Sequence, residues 1–408
     1  MQRRRWIAAI AVACSALVVA GCAGGESSSG GDTIKISMIV PTETTGGNYP
    51  EEVSGARAAV RSINAQGGVN GRQLEIVYCN ERLDVNEAAS CARRAEGGDS
   101  IALLGTNSTN SVQGVLPYLR TIPNIGPFSL NPDDVGCATC YAYDSLMLGQ
   151  LMSTQALIEQ SKITGSVQIV TLDIPAGHDS QNRAYDAMNS AGIDVNPVLF
   201  LPPTTSDMST YAQRIKDSGA AAVVPALPNQ GVFALLQALR QIDYQPIVLT
   251  NDTQVLPRDI EVLGDFIEGA KFVLSLPPAA AADRYEGVGR WVADMKAQQD
   301  TGDEAAATLN GISLHAWLGV HAIAEIAGQV NGEVTRDSFI EALKAAKDVD
   351  MQGILPPWTP TAPAPAGMPD GLNTPLVFFG TVKDNTLVLM ENDPFNIASN
   401  AFQPVPAP

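Results

Sequence analysis

The sequence predicts an α/β protein built around parallel sheets, and three observations support this fold class. From Thr33 onward, short runs rich in β-branched residues alternate with longer helical patterns, as in chains made of βα units. Several of the short runs are continuously apolar, which is typical of parallel strands buried on both faces. After residues 272–277 the rhythm changes to successive helices, a proline-rich passage and a final strand pair, so two lobes with interleaved segments are expected.

The predicted elements follow in chain order. Strands are predicted over 33–40, 73–79, 100–105, 166–173, 220–227 and 245–252. Helices over 53–68 and 210–219 end in glycine, which favours the left-handed conformation found just past a helix. Later helices are predicted over 284–299, 312–329 and 336–347, and the proline-rich passage spans 353–369. The last two strands, 375–382 and 386–390, are separated by three polar residues and predict a hairpin.

Residues 1–32 predict an export signal and a tether. Arg3, Arg4 and Arg5 precede an apolar run that ends just before Cys22, which is the pattern of a lipoprotein signal peptide over 1–21. A transmembrane anchor is disfavoured because the run is shorter than the ~20 residues that span a bilayer. Residues 22–32 lack large apolar side chains and predict a flexible tether. We therefore expect an extracytoplasmic protein, anchored by a lipid on Cys22 to the outer face of the cell membrane.

The composition limits the possible partners. A hydrophobic fraction of 45% supports globular cores, and a formal net charge of −18 argues against nucleic acid, whose phosphates require clustered lysine and arginine. Four cysteines follow Cys22, and their proximity in the sequence favours pairing Cys79 with Cys91 and Cys137 with Cys140. A redox CxxC or a zinc site is disfavoured, because the CxxC does not open a helix after a strand and the other two cysteines lack zinc-ribbon spacing.

Three stretches carry a resemblance to a known family: 67–94, which starts with Gly-Gly-Val-Asn-Gly, 102–132 and 231–252. In these stretches the chain resembles the type 1 solute-binding proteins of branched-chain amino acid ABC importers. It implies two Rossmann-like lobes with parallel sheets, joined by three hinge crossings near 143–149, 276–279 and 356–360. The implied organisation is 33–145 and 279–356 for lobe 1, 146–278 and 357–395 for lobe 2, and 396–408 as a tail. The implied partners of this monomer are a small solute and permease subunits, without a cofactor.

Polar loops after two strands of lobe 1 are candidate ligand contacts. In parallel α/β sheets, ligands bind where strands lead into helix N-termini. Asn107, Ser108 and Thr109 follow the strand 100–105 and can either cap the next helix or hold a ligand. The resemblance puts Ser108 or Thr109 where a ligand carboxylate is held. The next such loop contributes Ser129, Leu130 and Asn131, where asparagine replaces the family's hydroxyl and an Asn-Pro turn is the alternative interpretation.

Lobe 2 offers a second set of candidates. Asp252 ends the strand 245–252 and matches the family's acidic residue that pairs with a ligand ammonium, although a cap for the following segment is the alternative. Where the amino-acid binders carry tyrosines, this chain has Ala176 and His178 in one loop and Asn229 in another, which argues against a simple leucine-type ligand. Tyr49, in the loop after the first strand, is expected to close over a ligand from lobe 1.

Enzyme classes find no support in the sequence. The motifs G-x-S-x-G, S-x-x-K, G-x-x-x-x-G-K-[ST] and H-E-x-x-H are missing from it. His315 and His321 lie six residues apart in an apolar helix, so core packing is favoured over a shared metal, and no metal site is expected. The leading hypothesis is a lipid-anchored receptor that delivers a small polar solute, an amino acid or a related compound, to an ABC permease. The alternatives are a ligand-sensing receptor of the same fold and a degenerate surface enzyme.

Overall fold

The computed structural model describes residues 33–44, 47–129 and 132–405, without the side chains of Ala176 and Asp179. The predictions for the signal peptide, the tether and the lipid on Cys22 lie outside the described residues. Within them, no helix combines the length and the apolar character needed to cross a membrane. The elements form two α/β lobes, each organised around one sheet.

The first sheet is entirely parallel and has the order β2-β1-β3-β4-β5. Its strands are β1 (Ile34–Ile39), β2 (Leu74–Cys79), β3 (Ala102–Leu104), β4 (Asn124–Ile125) and β5 (Cys140–Tyr141). The helices of this part of the chain are α1 (Pro50–Ala65), α2 (Val85–Gly97) and α3 (Pro132–Gly136). The first three strand predictions are confirmed, whereas the two-residue strands β4 and β5 were not predicted.

The second sheet has the order β14-β13-β11-β10-β9-β8-β6-β7, with β12 paired to β11. Its strands are β6 (Val167–Leu172), β7 (Val195–Leu201), β8 (Ala222–Ala226), β9 (Ile247–Thr250), β10 (Lys271–Leu274), β11 (Leu376–Lys383), β12 (Thr386–Leu389), β13 (Phe395–Asn396) and β14 (Ala401–Phe402). The strands β6 to β10 are parallel, and the predicted hairpin of β11 and β12 is confirmed as antiparallel. β13 and β14 lie at the sheet edge, so three residues of the expected tail, Asn396, Ala401 and Phe402, belong to strands.

Helices α4 (Leu146–Gln160), α5 (Pro175–Ser190), α6 (Ser209–Ser218), α7 (Asn229–Gln241) and α8 (Pro257–Leu263) accompany the second sheet. The later helices α9 (Glu286–Gln299), α10 (Gly311–Gly328) and α11 (Arg336–Ala345) return to the first lobe, where α9 and α10 pack on α1. The approach of α1 to α10 is close, since a Cβ on Gly55 would lie 2.1 Å from the carbonyl oxygen of Ser313. The two lobes therefore interleave along the chain as predicted.

Three passages connect the lobes, between β5 and α4, between β10 and α9, and between α11 and β11. The crossings predicted at 143–149, 276–279 and 356–360 overlap these passages, and their residue bounds remain predictions. The first and third passages touch, because Trp358 Nε1 donates to the carbonyl oxygen of Ala142 at 3.1 Å.

Both expected disulfides are present. Cys79, at the end of β2, is bonded to Cys91 inside α2, and Cys137 is bonded to Cys140, the first residue of β5. The first bridge fastens a helix to the strand edge of the first sheet, and the second closes a short turn. Trp291 and Trp317 are fully buried in the first lobe, in agreement with their interpretation as core residues.

Candidate functional site

The predicted site residues follow the carboxyl ends of strands in both sheets, and of them Asp252 lines the cavity described below. The first lobe contributes the loops after β1, β3 and β4, and the second lobe the segments after β6, β8 and β9. Between the lobes lies a cavity of about 10 Å³, close to the space that one water molecule needs. Its lining combines both lobes: Phe128, Leu146, Met147, Gln150, Asp252, Thr253, Ser275, Gly311 and Ile312.

The polar loop after β3 is largely buried and internally bonded. Thr106 Oγ1 donates to Asn124 Oδ1 at 2.9 Å, and Asn107 Nδ2 donates to Glu52 Oε2 at 2.8 Å. The Ser108 hydroxyl accepts from the backbone N–H of Asn110, which forms a local turn rather than a cap on an α-helix. A single π-helical turn follows, and Thr109 has an exposed side chain.

Sequence reasoning missed two carboxyl groups beside this loop. Glu51 and Glu52 occupy the first turn of α1, where acidic side chains complement the helix dipole, and both are buried. Burial raises the pKa of Glu51 and raises that of Glu52 well above its usual range. Glu52 Oε1 has no hydrogen-bond partner among the described residues. The signal that could have identified them is the Pro-Glu-Glu sequence at the start of α1.

Tyr49 and the loop after β4 close the first-lobe side. The Tyr49 ring lies 6.3 Å from the ring of Phe128, and burial raises the pKa of Tyr49 to about 12. Ser129 Oγ donates to the carbonyl oxygen of Ser145 at 3.0 Å, so it supports the first passage between the lobes. Leu130 and Asn131 lie outside the described residues. Phe128, Leu146 and Ile312 form a small apolar cluster at the junction.

In the second lobe, the segment containing His178 is helical rather than a loop. α5 begins at Pro175, and the His178 ring stacks on Phe200 with ring centroids 3.9 Å apart. Its Nε2 lies 2.7 Å from Asp173 Oδ1, so the histidine is held by its own lobe. The side chain of Ala176 lies outside the described residues. Asn229 starts α7 and donates to the Gln254 carbonyl oxygen and to Asp259, which makes it a structural link between neighbouring segments.

Asp252 connects the two lobes directly. Its Oδ2 accepts a hydrogen bond from the backbone N–H of Gly311, the first residue of α10, and the residue is 5% exposed. Asp252 therefore acts as a helix cap, as in the alternative interpretation. The helix that it caps is α10 of the opposite lobe, however, and not the segment that follows Asp252. Burial raises the pKa of Asp252 to about 6, while the Gly311 hydrogen bond opposes that shift. Beside this contact, Asn310 Nδ2 donates to Glu51 Oε1 at 3.0 Å.

A buried histidine–aspartate contact lies under the first-lobe side of the site. His315 Nδ1 is 2.9 Å from Asp144 Oδ2, and His315 Nε2 is 2.9 Å from the carbonyl oxygen of Gly126. Each ring nitrogen therefore has one oxygen partner, and the ring links two separate parts of the first lobe. The expectation of plain core packing missed this pair, because Asp144 is remote in sequence. No cluster of three or more histidine, cysteine, aspartate or glutamate side chains suited to a metal occurs in the described part of the chain.

Known proteins share this architecture. A family model described as periplasmic binding protein matches residues 33–384. Leu/Ile/Val-binding protein homolog 6 from Brucella abortus (strain 2308) is 25% identical over 359 residues, which cover 84% of this chain and 87% of that protein.

Two solved structures illustrate the likeness of the fold. The leucine-binding protein from Thermotoga maritima MSB8 superposes with a TM-score of 0.65 at 17% identity, covering 88% of this chain and 98% of that one. A solute-binding protein of an ABC transporter from Rhodopseudomonas palustris HaA2, in complex with p-hydroxybenzoic acid, gives 0.69 at 18% identity, with 90% and 98% covered. With a family model matched over most of its length and two interleaved α/β lobes, the chain belongs to the periplasmic binding protein family and has its type 1 fold.

Proposed function

We propose that the chain is the extracytoplasmic solute-binding protein of an ABC importer and captures a small polar solute between its lobes. The observation that carries the proposal is the direct contact between Asp252 of the second lobe and the N-terminus of α10 in the first. A solute bound at this place touches both lobes, and only such a solute favours the closed arrangement over the open one.

The residues around this contact suit a polar solute. Asn107, Ser108 and Thr109 supply amide and hydroxyl groups from the first lobe, and Ser129 supplies another hydroxyl. Asp252 supplies the carboxylate for a ligand ammonium, which would have to compete with the Gly311 N–H for that group. Tyr49 covers the site from the first lobe, while Ala176, His178 and Asn229 lie at the facing ends of second-lobe strands. Leu130 and Asn131 complete the proposed set of contacts.

The finer parts of the proposal come from the sequence and from the relatives. The lipobox at Cys22 supports anchoring to the outer face of the cell membrane. The relative named as a Leu/Ile/Val-binding protein homolog supports an amino acid or a related compound as the ligand. The ABC-transporter protein solved with p-hydroxybenzoic acid supports permease subunits as partners of this chain and widens the range of candidate solutes.

Native mass spectrometry of the purified protein tests the proposal by revealing a co-purified solute. Re-adding that solute at 100 times its dissociation constant should stabilise the fold by about 2.7 kcal/mol, which gives a clear thermal shift. Asp252→Ala should abolish the shift for an amine-bearing solute, whereas Asp217→Ala, at an exposed position on α6, should leave it unchanged. Equal binding by the Asp252 variant would remove Asp252 from the site, and the lack of any stabilising solute would refute the proposed function.

A further inference from the structure

We propose that Gln150 is a specificity-determining residue of the cleft and that, together with Asp252, it selects solutes carrying an amine over solutes carrying only a carboxylate. The inference rests on the proposed solute-binding function and names the head group that this site takes. It follows from the polarity of the cavity lining, from one unsatisfied buried acceptor and from the charge of the surroundings.

The cavity between the lobes is lined by both apolar and polar side chains. Phe128, Leu146 and Ile312 form one apolar cluster, against which Met147 packs. The polar lining residues are Gln150, Asp252, Thr253 and Ser275. This composition suits a solute with an apolar body and a polar head. At about 10 Å³, the cavity is smaller than any such solute, so a solute must separate the lining residues and replace their contacts.

Gln150 carries the unsatisfied acceptor. The residue is 5% exposed, and its Nε2 donates to Ser275 Oγ, another polar lining residue, at 3.1 Å. Its Oε1 is buried and has no hydrogen-bond partner among the described residues. A buried acceptor without a donor is costly and rare in native proteins, so a solute that supplies a donor to this oxygen gains affinity.

The charges around the cavity point to the same class of head group. Asp252 lines the cavity with a carboxylate, and the nearby Glu51 interacts with it unfavourably. Among the described residues, no lysine or arginine lines the cavity, and the basic group that faces Glu51 is the largely exposed Arg258. An incoming carboxylate would face the like charge of Asp252 and the unpaired acceptor Gln150 Oε1. An ammonium would instead form an ion pair with Asp252 and donate a hydrogen bond to Gln150 Oε1.

A trapped water is the competing explanation for the free Oε1. A cavity of about 10 Å³ lies at the lower limit of the space that one water needs, and the polar lining residues offer that water several hydrogen-bond partners. In that case Gln150 would stabilise the closed lobes without affecting which solute binds. The two explanations differ in selectivity, which is therefore the quantity to measure.

Three probes with the same branched apolar body separate the head groups: isopentylamine with the amine alone, leucine with both groups, and 4-methylpentanoate with the carboxylate alone. Titration calorimetry on the full mature protein should show the amine binding at least tenfold more tightly than the carboxylate. Gln150→Met should weaken binding of the amine about tenfold, the effect of one hydrogen bond to a charged group, and leave the carboxylate unchanged or improved. Gln155→Met, on the exposed side of the same helix, is the matched control and should change neither.

Gln150→Glu provides a second variant of nearly the same shape, which keeps the test informative if Gln150→Met folds poorly. It should strengthen binding of the amine and abolish binding of the carboxylate. The inference is overturned if 4-methylpentanoate binds as tightly as the amine, if both Gln150 variants keep the parent's selectivity, or if none of the probes binds at 10 mM. Binding of the carboxylate alone would leave the proposed solute-binding function standing, which separates the two failures.

Discussion

Removing either member of the buried His315–Asp144 pair should destabilise the protein, and the two removals should cost different amounts. The side chains of His315 and Asp144 are 1% and 2% exposed, so neither can recover hydration when its partner is lost. The pair links α10 to the first passage between the lobes, and through His315 Nε2 it also holds the carbonyl oxygen of Gly126.

The magnitudes follow from what each variant leaves behind. In Asp144→Ala the imidazole keeps its contact with the carbonyl oxygen of Gly126, so the cost is about one hydrogen bond to a carboxylate, roughly 1.5–3 kcal/mol. In His315→Ala a carboxylate remains buried without a partner, and the ring stacked 4.6 Å from Tyr143 is lost. Breaking a buried pair in this way costs about 3–5 kcal/mol. The double variant leaves no buried charge and should cost less than the sum.

Urea unfolding at pH 7, followed by tryptophan fluorescence and circular dichroism, measures these costs. Trp358 packs edge-on against Tyr143 at 5.8 Å, so its emission reports on this region. His321→Ala on the same helix is the control, and its cost should add to that of Asp144→Ala within about 0.5 kcal/mol because the two residues share no bond. The reasoning is refuted if Asp144→Ala destabilises the protein as much as His315→Ala does. It is also refuted if the cost of the Asp144→Ala/His315→Ala double variant equals the sum of the two single costs.

Three further predictions concern single groups. Burial raises the pKa of Asp252 to about 6, so the folded protein binds the proton of this carboxyl group more tightly than the unfolded chain does. The stabilisation from this group is therefore full below about pH 4 and is lost as pH rises through about 6. Asp252→Asn should therefore change the pH dependence of the unfolding free energy by about 2 kcal/mol between pH 4 and pH 7, and unfolding curves that keep the parent's dependence would contradict this. Replacing Cys79 and Cys91 together by alanine should lower the free energy of unfolding by about 2–4 kcal/mol. Replacing Cys137 and Cys140 should lower it less, because that disulfide closes a shorter loop. A Cys79/Cys91 variant that melts at the same temperature as the parent would contradict the first expectation. Cys22→Ala should leave unprocessed or shed protein in the native host, whereas intact mass showing no lipid on Cys22 in the parent would rule out the anchor.

Patterns local in sequence predicted most of the fold. β8 was predictable because its continuous apolar run reflects burial in a parallel sheet, and β1 and β2 because β-branched and other apolar residues are frequent in them. The hairpin of β11 and β12 was predictable because a short polar turn separates two apolar strands. β4 and β5 contain two residues each, too few for any periodicity to register. β7 was obscured by Asn196 and Pro197, which are tolerated because this strand lies at the edge of its sheet.

The site was only partly predictable, because its decisive contacts join distant parts of the chain. Asp252 was identified from its position after a strand, yet its partner Gly311 lies in a different lobe. Gln150 gave no sequence signal, since a glutamine in an amphipathic helix is ordinarily exposed, and only the packing of α4 against the second sheet buries it. His315 looked like a core residue because the apolar pattern of α10 surrounds it, while Asp144 lies in a passage between the lobes.

The packing of α10 on α1 fixes the order in which the protein can be completed during synthesis. The apolar face of α1, with Val53, Ala56 and Ala59, is covered by helices that begin only at Glu286 and Gly311. At roughly 5 to 20 residues per second, the stretch of about 250 residues between α1 and α10 takes roughly 12 to 50 s to emerge from the ribosome. The first lobe is thus completed only after most of the second lobe has been synthesised, and for that interval the nascent chain presents an uncovered helix face to chaperones.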